Sequence, residues 1–429
     1  MKSFYFLAPL LLSTSLHALT LQEAIKTSID QSSKTAGNQL RVQAMEDRLK
    51  AQKVNWLPTA SISIGSNISS SRFDSERFSQ SSIGRSQSAA LISSVTLYDG
   101  GANKFSTLAA EADLKAMKAR FSSSNALIPY TRGSIASDTV DAYVGLLQVI
   151  EQKNYLNFLS ATLKKYAPGF TGDDLVLIEQ RINDLKTSNI RTDFNHSRAL
   201  EDFDYFTTVP APPPSQLDTI DQAINSLIIP ASGEEAINIA LEKNQNIKTA
   251  QYELESSEYS YQGGHARRTL PNVILQASIS KAISDSNNTS GRSNNSNVGV
   301  YLNYPLDAKN SHFEAAALKN VEASKRELEV AVEEAKHSIK SIYPSLQNQL
   351  NLYRSQAANL KSATDSLNVI LEKIRRGDFV DINVALNILS SHQMYTQQCL
   401  DLKISILYTR FKIQRTVGTL FDNLNDRSR

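Results

Sequence analysis

The sequence predicts a membrane protein of mixed α+β class, built as an internal two-fold repeat with four strands per chain. Three observations carry that prediction: one duplication along the chain, two pairs of alternating segments, and two helical stretches of unusual length. Of the 429 residues, 21% are charged and only 16 are Gly. Ala, Leu, Lys, Glu, Gln, Asn and Ser dominate long stretches, a composition that suits extended helices.

The duplication is read first, because a missed repeat misassigns the whole fold. Gln22-Glu23-Ala24-Ile25 recurs as Glu234-Glu235-Ala236-Ile237, Leu57-Pro58 as Leu270-Pro271, and Phe105 as Phe313. The copies lie about 210 positions apart, a period that makes each copy half of the chain. Each half shows the same order: helix, strand, loop, strand, very long helix, turn, helix. We therefore expect a first repeat over 19–209, with a hairpin at 58–98 and a helical tip near 168–173. A second repeat is expected over 233–421, with a hairpin at 271–305 and a tip near 377–379. Pro210-Ala211-Pro212-Pro213-Pro214 breaks the chain between them, so 210–232 reads as a surface linker. Residues 422–429 form a tail.

The second half shows the strands more clearly. A single helix is expected over 234–262, and Leu270-Pro271 stops it, since a residue before proline is pushed out of the α region. Val273, Leu275, Ala277 and Ile279 then alternate with polar residues, and Val298, Val300, Leu302 and Tyr304 do so on the return. A polar loop, Ser284 to Ser296, is expected between them. In the first half Ala60, Ile62, Ile64 and Ile68 answer Ala89, Leu91, Val95 and Leu97 across a polar loop of about Ser70 to Gln87. Segments of about ten residues, apolar on one face and small or polar on the other, match outer-membrane hairpins. A soluble sandwich shows the same alternation. The strand count separates them: four strands cannot close a barrel, and an open edge is not tolerated in lipid. Three chains would supply twelve strands, so the count argues for a homotrimer sharing one twelve-stranded barrel.

From Ala308 to Arg376 only Pro344 interrupts the helical pattern, and the stretch would span roughly 100 Å. Ala102 to Ala167, which contains Pro129, reads as its counterpart. Helices of this length need neighbours along their whole extent, as in a coiled coil or helical barrel. Pro168-Gly169-Phe170-Thr171-Gly172 and Gly377-Asp378 end them as hairpin tips.

The N-terminus reads as a secretory signal over 1–18. Lys2 precedes a short apolar run, Phe4 to Leu12, and Ala18 offers a cleavage point. Beyond it no apolar run is long enough for a membrane helix, which leaves a closed barrel as the route into a bilayer. Cys399 is the single cysteine, so no intramolecular disulfide and no lipid-anchoring cysteine are expected. The 45 basic and 43 acidic residues nearly balance at +2, and nothing points to nucleic acid.

These segments, taken in order, resemble the TolC family of outer-membrane efflux proteins. The motifs are Leu19-Thr20-Leu21-Gln22-Glu23-Ala24-Ile25, Leu57-Pro58, and Leu97-Tyr98-Asp99-Gly100-Gly101 with Ala109, Ala110 and Ala112 following. Pro305-Leu306-Asp307 is a weaker second copy of the strand-to-helix passage. Gly377-Asp378-Phe379-Val380-Asp381-Ile382 looks like the family's second tip, and Gly418-Thr419-Leu420 like its final helix end. The resemblance implies a trimer with a long periplasmic α-helical barrel beneath the β-barrel in outer-membrane lipid. A periplasmic adaptor (membrane fusion protein) and an inner-membrane ABC or proton-driven transporter would dock at its tip. The docking residues would be Gly169, Phe170, Gly172, Gly377, Asp378 and Phe379. Family members narrow the channel with aspartates near the tip, and Asp381 matches the first of these positions. The second is occupied by Val384, a departure from the pattern. Asp173 and Asp174 lie beside the other tip, and we expect Arg375 or Arg376 to pair with them across it as a gate latch.

Catalytic chemistry is not expected. His17, His196, His265, His312, His337 and His392 show no metal-binding spacing, with each other or with Cys399. Gly100-Gly101 and Gly263-Gly264 lack the rest of a phosphate loop. Glu333-Glu334 reads as a solvated helix face. Trp56 either packs where helix meets strand or sits in an interfacial belt, with packing favoured. No cofactor follows. The passive duct would carry an exported polypeptide in type I secretion, slightly favoured by the absent anchor cysteine, or small molecules in multidrug efflux. A periplasmic coiled-coil adaptor or scaffold is the more distant alternative.

Overall fold

The computed structural model describes residues 19–75, 78–123, 131–286, 289–307, 309–378 and 380–422. The expected signal 1–18 and all but Asp422 of the tail lie outside the described residues. In chain order the elements are α1 (Leu21–Gln31), α2 (Ser33–Lys53), β1 (Thr59–Ser75), β2 (Phe78–Tyr98), α3 (Ala102–Phe121), α4 (Arg132–Tyr166) and α5 (Asp173–Thr207). Then follow α6 (Ile220–Ser226), α7 (Gly233–Lys243), α8 (Gln245–Thr269), β3 (Asn272–Ser286), β4 (Thr289–Asn303), α9 (Asn310–Arg376) and α10 (Ile382–Val417). They form two compact units, each drawing on both repeats. One holds Leu40–Lys118 and Thr249–Val330; the other holds the remainder.

The first unit contains a four-stranded sheet in the order β1-β2-β3-β4. Every neighbouring pair is antiparallel, and the central β2–β3 ladder joins strands of different repeats. The strands run to 17, 21, 15 and 15 residues, beyond the ten or so expected. The polar stretches 70–87 and 284–296, expected as loops, are mostly strand. Asn is depleted in strands, but that preference is weak against a continuous ladder whose inner strands pair on both sides.

Where β2 leaves the sheet, the Asp99 carboxylate accepts from Gly101 N at 2.9 Å and Asn103 N at 2.8 Å, capping α3. Gly100 sits at φ +65°, and a Cβ there would lie 2.6 Å from a Leu270 side-chain carbon. The second copy works alike: Asp307 Oδ1 accepts from Lys309 N at 2.9 Å. The shared aspartate is thus a turn-and-cap device in both repeats.

The second unit is helical. Leu21, Ile25, Tyr143, Phe203 and Leu407 are buried in its largest apolar cluster. Burying side chains of this size contributes about 1.5–3 kcal/mol each. The Tyr143 hydroxyl donates to Leu19 O at 2.8 Å and accepts from Asp218 N at 3.1 Å, so the buried phenol is satisfied.

Three expectations fail here. The stretch 210–232 is not a surface linker throughout. After a 3₁₀ turn at Pro214–Gln216, α6 carries Ile220 and Ala223 into the core beside Leu217 and Leu227. That three-to-four-residue apolar spacing is a helical face hidden behind the prolines. The helix expected over 234–262 breaks at Asn244, whose Oδ1 accepts from Asn246 N at 2.8 Å and whose Nδ2 donates to Thr416 O at 2.6 Å. The helix expected from Ala102 to Ala167 is two helices, α3 and α4. Pro129 lies outside the described residues, but a proline lacks the donor a helix needs and restricts its predecessor. Thr131 then caps α4 by accepting from Ser134 N at 3.2 Å. Pro344, by contrast, is absorbed within the 67-residue α9, on its exposed side between buried Ile342 and Leu346.

Candidate functional site: the helical tip and the two-faced sheet

Two helical hairpins, α4–α5 and α9–α10, end side by side in the helical unit. At the first, α4 closes through a 3₁₀ turn over Ala167–Gly169, and Gly172 at φ +64° redirects the chain into α5. At the second, Gly377 takes φ +79° and stops α9. Gly377 N donates to Ile374 O and Asp378 N to Lys373 O, both at 3.1 Å, which satisfies two terminal carbonyls. Buried Ile178, Ile182 and Ile382 pack with Leu163, Phe170 and Leu386 to join the hairpins, leaving an apolar cavity of about 40 Å³. Phe170 is therefore half-buried in the tip core, while Gly172, Gly377 and Asp378 are exposed. Phe379 lies outside the described residues.

The tip charges do not form the expected latch within one chain. Arg375 and Arg376 both turn to Glu372 on their own helix, at 3.6 and 3.3 Å. Among the described residues no ion pair links either arginine to Asp173 or Asp174. The two aspartates occupy the first turn of α5, where its dipole favours negative charge. Asp381 has a local role as well. It is the N-cap of α10, its Oδ1 accepting from Asn383 N at 2.8 Å and Val384 N at 3.4 Å.

Above the tip lies a polar cross-link that sequence reasoning did not find. The Tyr155 hydroxyl shares a hydrogen bond of 2.8 Å with His392 Nδ1, and the rings stack 5.7 Å apart. Arg181 Nη2 donates to Gln393 Oε1 at 2.7 Å, so α4, α5 and α10 are all engaged. Burial raises the Tyr155 pKa to about 12 and lowers that of His392. These residues are remote in sequence and follow no motif, so no local signal marked them.

The sheet has two chemically distinct faces. Directly opposed residues share a face, so Ala60, Ser93, Ala277 and Val298 form one row, and Ile62, Leu91, Ile279 and Ser296 the next. Val95, Leu275 and Val300 continue the same face. The opposite rows read Ser61, Ile92, Ser278, Asn297 and Ser63, Ala90, Ser280, Asn295. Ile64 is 83% exposed and Val298 73%, so an apolar band stands open to the surroundings. Trp56 is 65% exposed just before β1, with Tyr98 and Tyr304 exposed at neighbouring strand ends. The packing favoured for Trp56 is not observed within the chain. Among the described residues no helix is long and apolar enough to cross a membrane.

The chain thus combines an apolar band four strands wide, two open sheet edges and paired helical hairpins. Residues 236–384 match the family described as outer membrane efflux protein, so the resemblance to the TolC-type channels is borne out. The fold agrees over nearly the whole chain. The Neisseria gonorrhoeae MtrE outer membrane channel in its open state superposes with a TM-score of 0.69 at 14% identity, covering 93% of this chain and 89% of that one. VceC, an outer membrane protein of Vibrio cholerae, gives 0.64 at 13% identity, covering 93% and 96%. A membrane protein from Pseudomonas aeruginosa gives 0.68 at 13%, covering 93% and 90%. No curated protein sequence matches the chain.

Proposed function

We propose that the chain is one third of a homotrimeric exit duct in the outer membrane of a Gram-negative bacterium, with its helices extending into the periplasm. The observation that carries this reading is the sheet: its apolar face is open, and β1 and β4 each leave an unpaired edge. Lipid tolerates no open edge, so β4 of one copy must pair with β1 of the next. Three copies give a twelve-stranded barrel, an even number within the usual range. The tip, with exposed Gly172, Gly377 and Asp378, is the natural place for a periplasmic adaptor and, through it, an inner-membrane ABC or proton-driven transporter. Extraction in mild detergent tests this: a heat-sensitive trimer in the outer-membrane fraction is expected, and a stable monomer or a soluble periplasmic protein would defeat it.

For the cargo, polypeptide export by a type I system is favoured over small-molecule efflux. Among the described side chains, the polar face of the four strands carries no charge, only hydroxyl, amide and aliphatic groups with a few aromatics. An unfolded chain bearing charges of both signs meets no fixed charge on such a wall. Deleting the gene and comparing the secreted proteins with antibiotic sensitivity separates the two cargo classes. The adaptor alternative is set aside, because the chain has the fold of a channel protomer over 93% of its length.

A further inference from the structure

Among the described side chains, charge on the strands is confined to one face. Arg85 on β2, Lys281 on β3 and Arg292 on β4 all fall on the apolar face. All three are basic and follow the apolar stretch of their strand toward the hairpin end, away from the helices, where the duct reading places the outer leaflet. By register Arg85 stands highest, opposite Ile68, with Arg292 two residues lower and Lys281 two lower again, so the three form one belt across adjacent strands. Lys281 and Arg292 are diagonal neighbours on adjacent strands, about 7–8 Å apart by backbone geometry. Arg85, Lys281 and Arg292 are exposed, and among the described residues none makes an ion pair.

We propose that this girdle binds the phosphate groups of acidic lipids in the outer leaflet. Long Arg and Lys stems lie along apolar surface while their heads reach the headgroup level. Guanidinium groups bind phosphate oxygens in pairs, and two cations on adjacent strands can share one phosphate. A barrel needing only solubility at its rim would accept either sign on either face. Here the described charges beside the apolar band are all positive, and the described side chains of the other face carry none. The proposal rests on the sheet being inserted in a membrane.

The test uses the full chain, extracted as a trimer in neutral detergent, and its variant Arg85→Gln, Lys281→Gln, Arg292→Gln. Native mass spectrometry counts retained lipid A, a glucosamine lipid with two phosphates. Heat-modifiability after reconstitution into phosphatidylcholine vesicles reports insertion separately. The expected result is equal insertion with about tenfold or greater loss of lipid A in the variant, because each cation near an acidic lipid surface adds to binding. Equal insertion with equal retention overturns the girdle alone. So does inorganic phosphate stripping lipid A from the wild type as fully as the substitutions do, which would mark a free-phosphate site. A wild type that fails to insert overturns both the girdle and the duct.

Discussion

Tyr155 and His392, 237 positions apart in sequence, meet inside the helical unit through a 2.8 Å hydrogen bond and a ring stack. Burial holds the imidazole neutral by lowering its pKa below 6.5. The folded state then binds fewer protons at this site than the unfolded chain does. Stability from this term is complete above the unfolded value and is lost as pH falls through 6.5 toward the folded pKa. Thermal denaturation of the purified protein at pH 7.5 and 5.5 should show a drop in Tm that shrinks in His392→Gln. Tyr155→Phe should cost ~1–3 kcal/mol at pH 7.5, since it strands a buried ring nitrogen.

Gly418 ends α10 at φ +87°, and a Cβ there would sit 2.5 Å from the Lys243 carbonyl oxygen. Both the left-handed backbone and the backbone contact forbid a side chain. Gly418→Ala should destabilise by about 1–3 kcal/mol or more, read as a lower denaturant midpoint with an unchanged m-value.

Asp381 offers a way to separate capping from charge. Asp381→Ala should lose ~1 kcal/mol of α10 stability, whereas Asp381→Asn and Asp381→Ser should retain most of it. If single-channel conductance follows the cap, Asn and Ser will behave as wild type. If it follows the charge, all three substitutions will change it together.

Arg375 and Arg376 pair with Glu372 within one helix turn, and both are largely exposed. Such pairs contribute under ~1 kcal/mol each. The double substitution to Ala should therefore leave conductance and antibiotic leakage close to wild type. A large increase in either would restore the latch, formed between neighbouring chains rather than within one.

Charge scanning of the sheet should be face-specific. Ala277→Arg, on the apolar face midway between Val273 and Lys281, is expected to cost about 2–4 kcal/mol. Ser278→Arg, one residue away on the polar face, should insert normally. Refolding into vesicles with urea titration measures both.

The fold was legible where chemistry is local and periodic. Alternation at Val273, Leu275, Ala277 and Ile279 marked β3, and the glycines at 172 and 377 marked the hairpin tips. What stayed hidden is non-local. Strand extension into Ser- and Asn-rich sequence depends on a partner strand, not on the residues themselves. Helix α6 was masked by the prolines before it, and Asn244 broke a helix because its amide found Thr416 O far along the chain. At the tip, Asp381 was marked through its motif, but its capping bonds and the turn of Arg375 and Arg376 toward Glu372 depend on side-chain direction. The Tyr155–His392 pair was beyond any linear pattern.

The β2–β3 ladder has a consequence for biogenesis. These strands are separated by the whole helical hairpin α4–α5 and by α6, yet each is the other's neighbour. The leading β-hairpin thus emerges long before its permanent partner is synthesised. It must remain shielded, with one sticky margin unsatisfied, until the trailing hairpin arrives. On the duct reading, insertion into the bilayer is then a late, all-at-once event, and a truncated translation product leaves a hairpin exposed to aggregation and proteolysis.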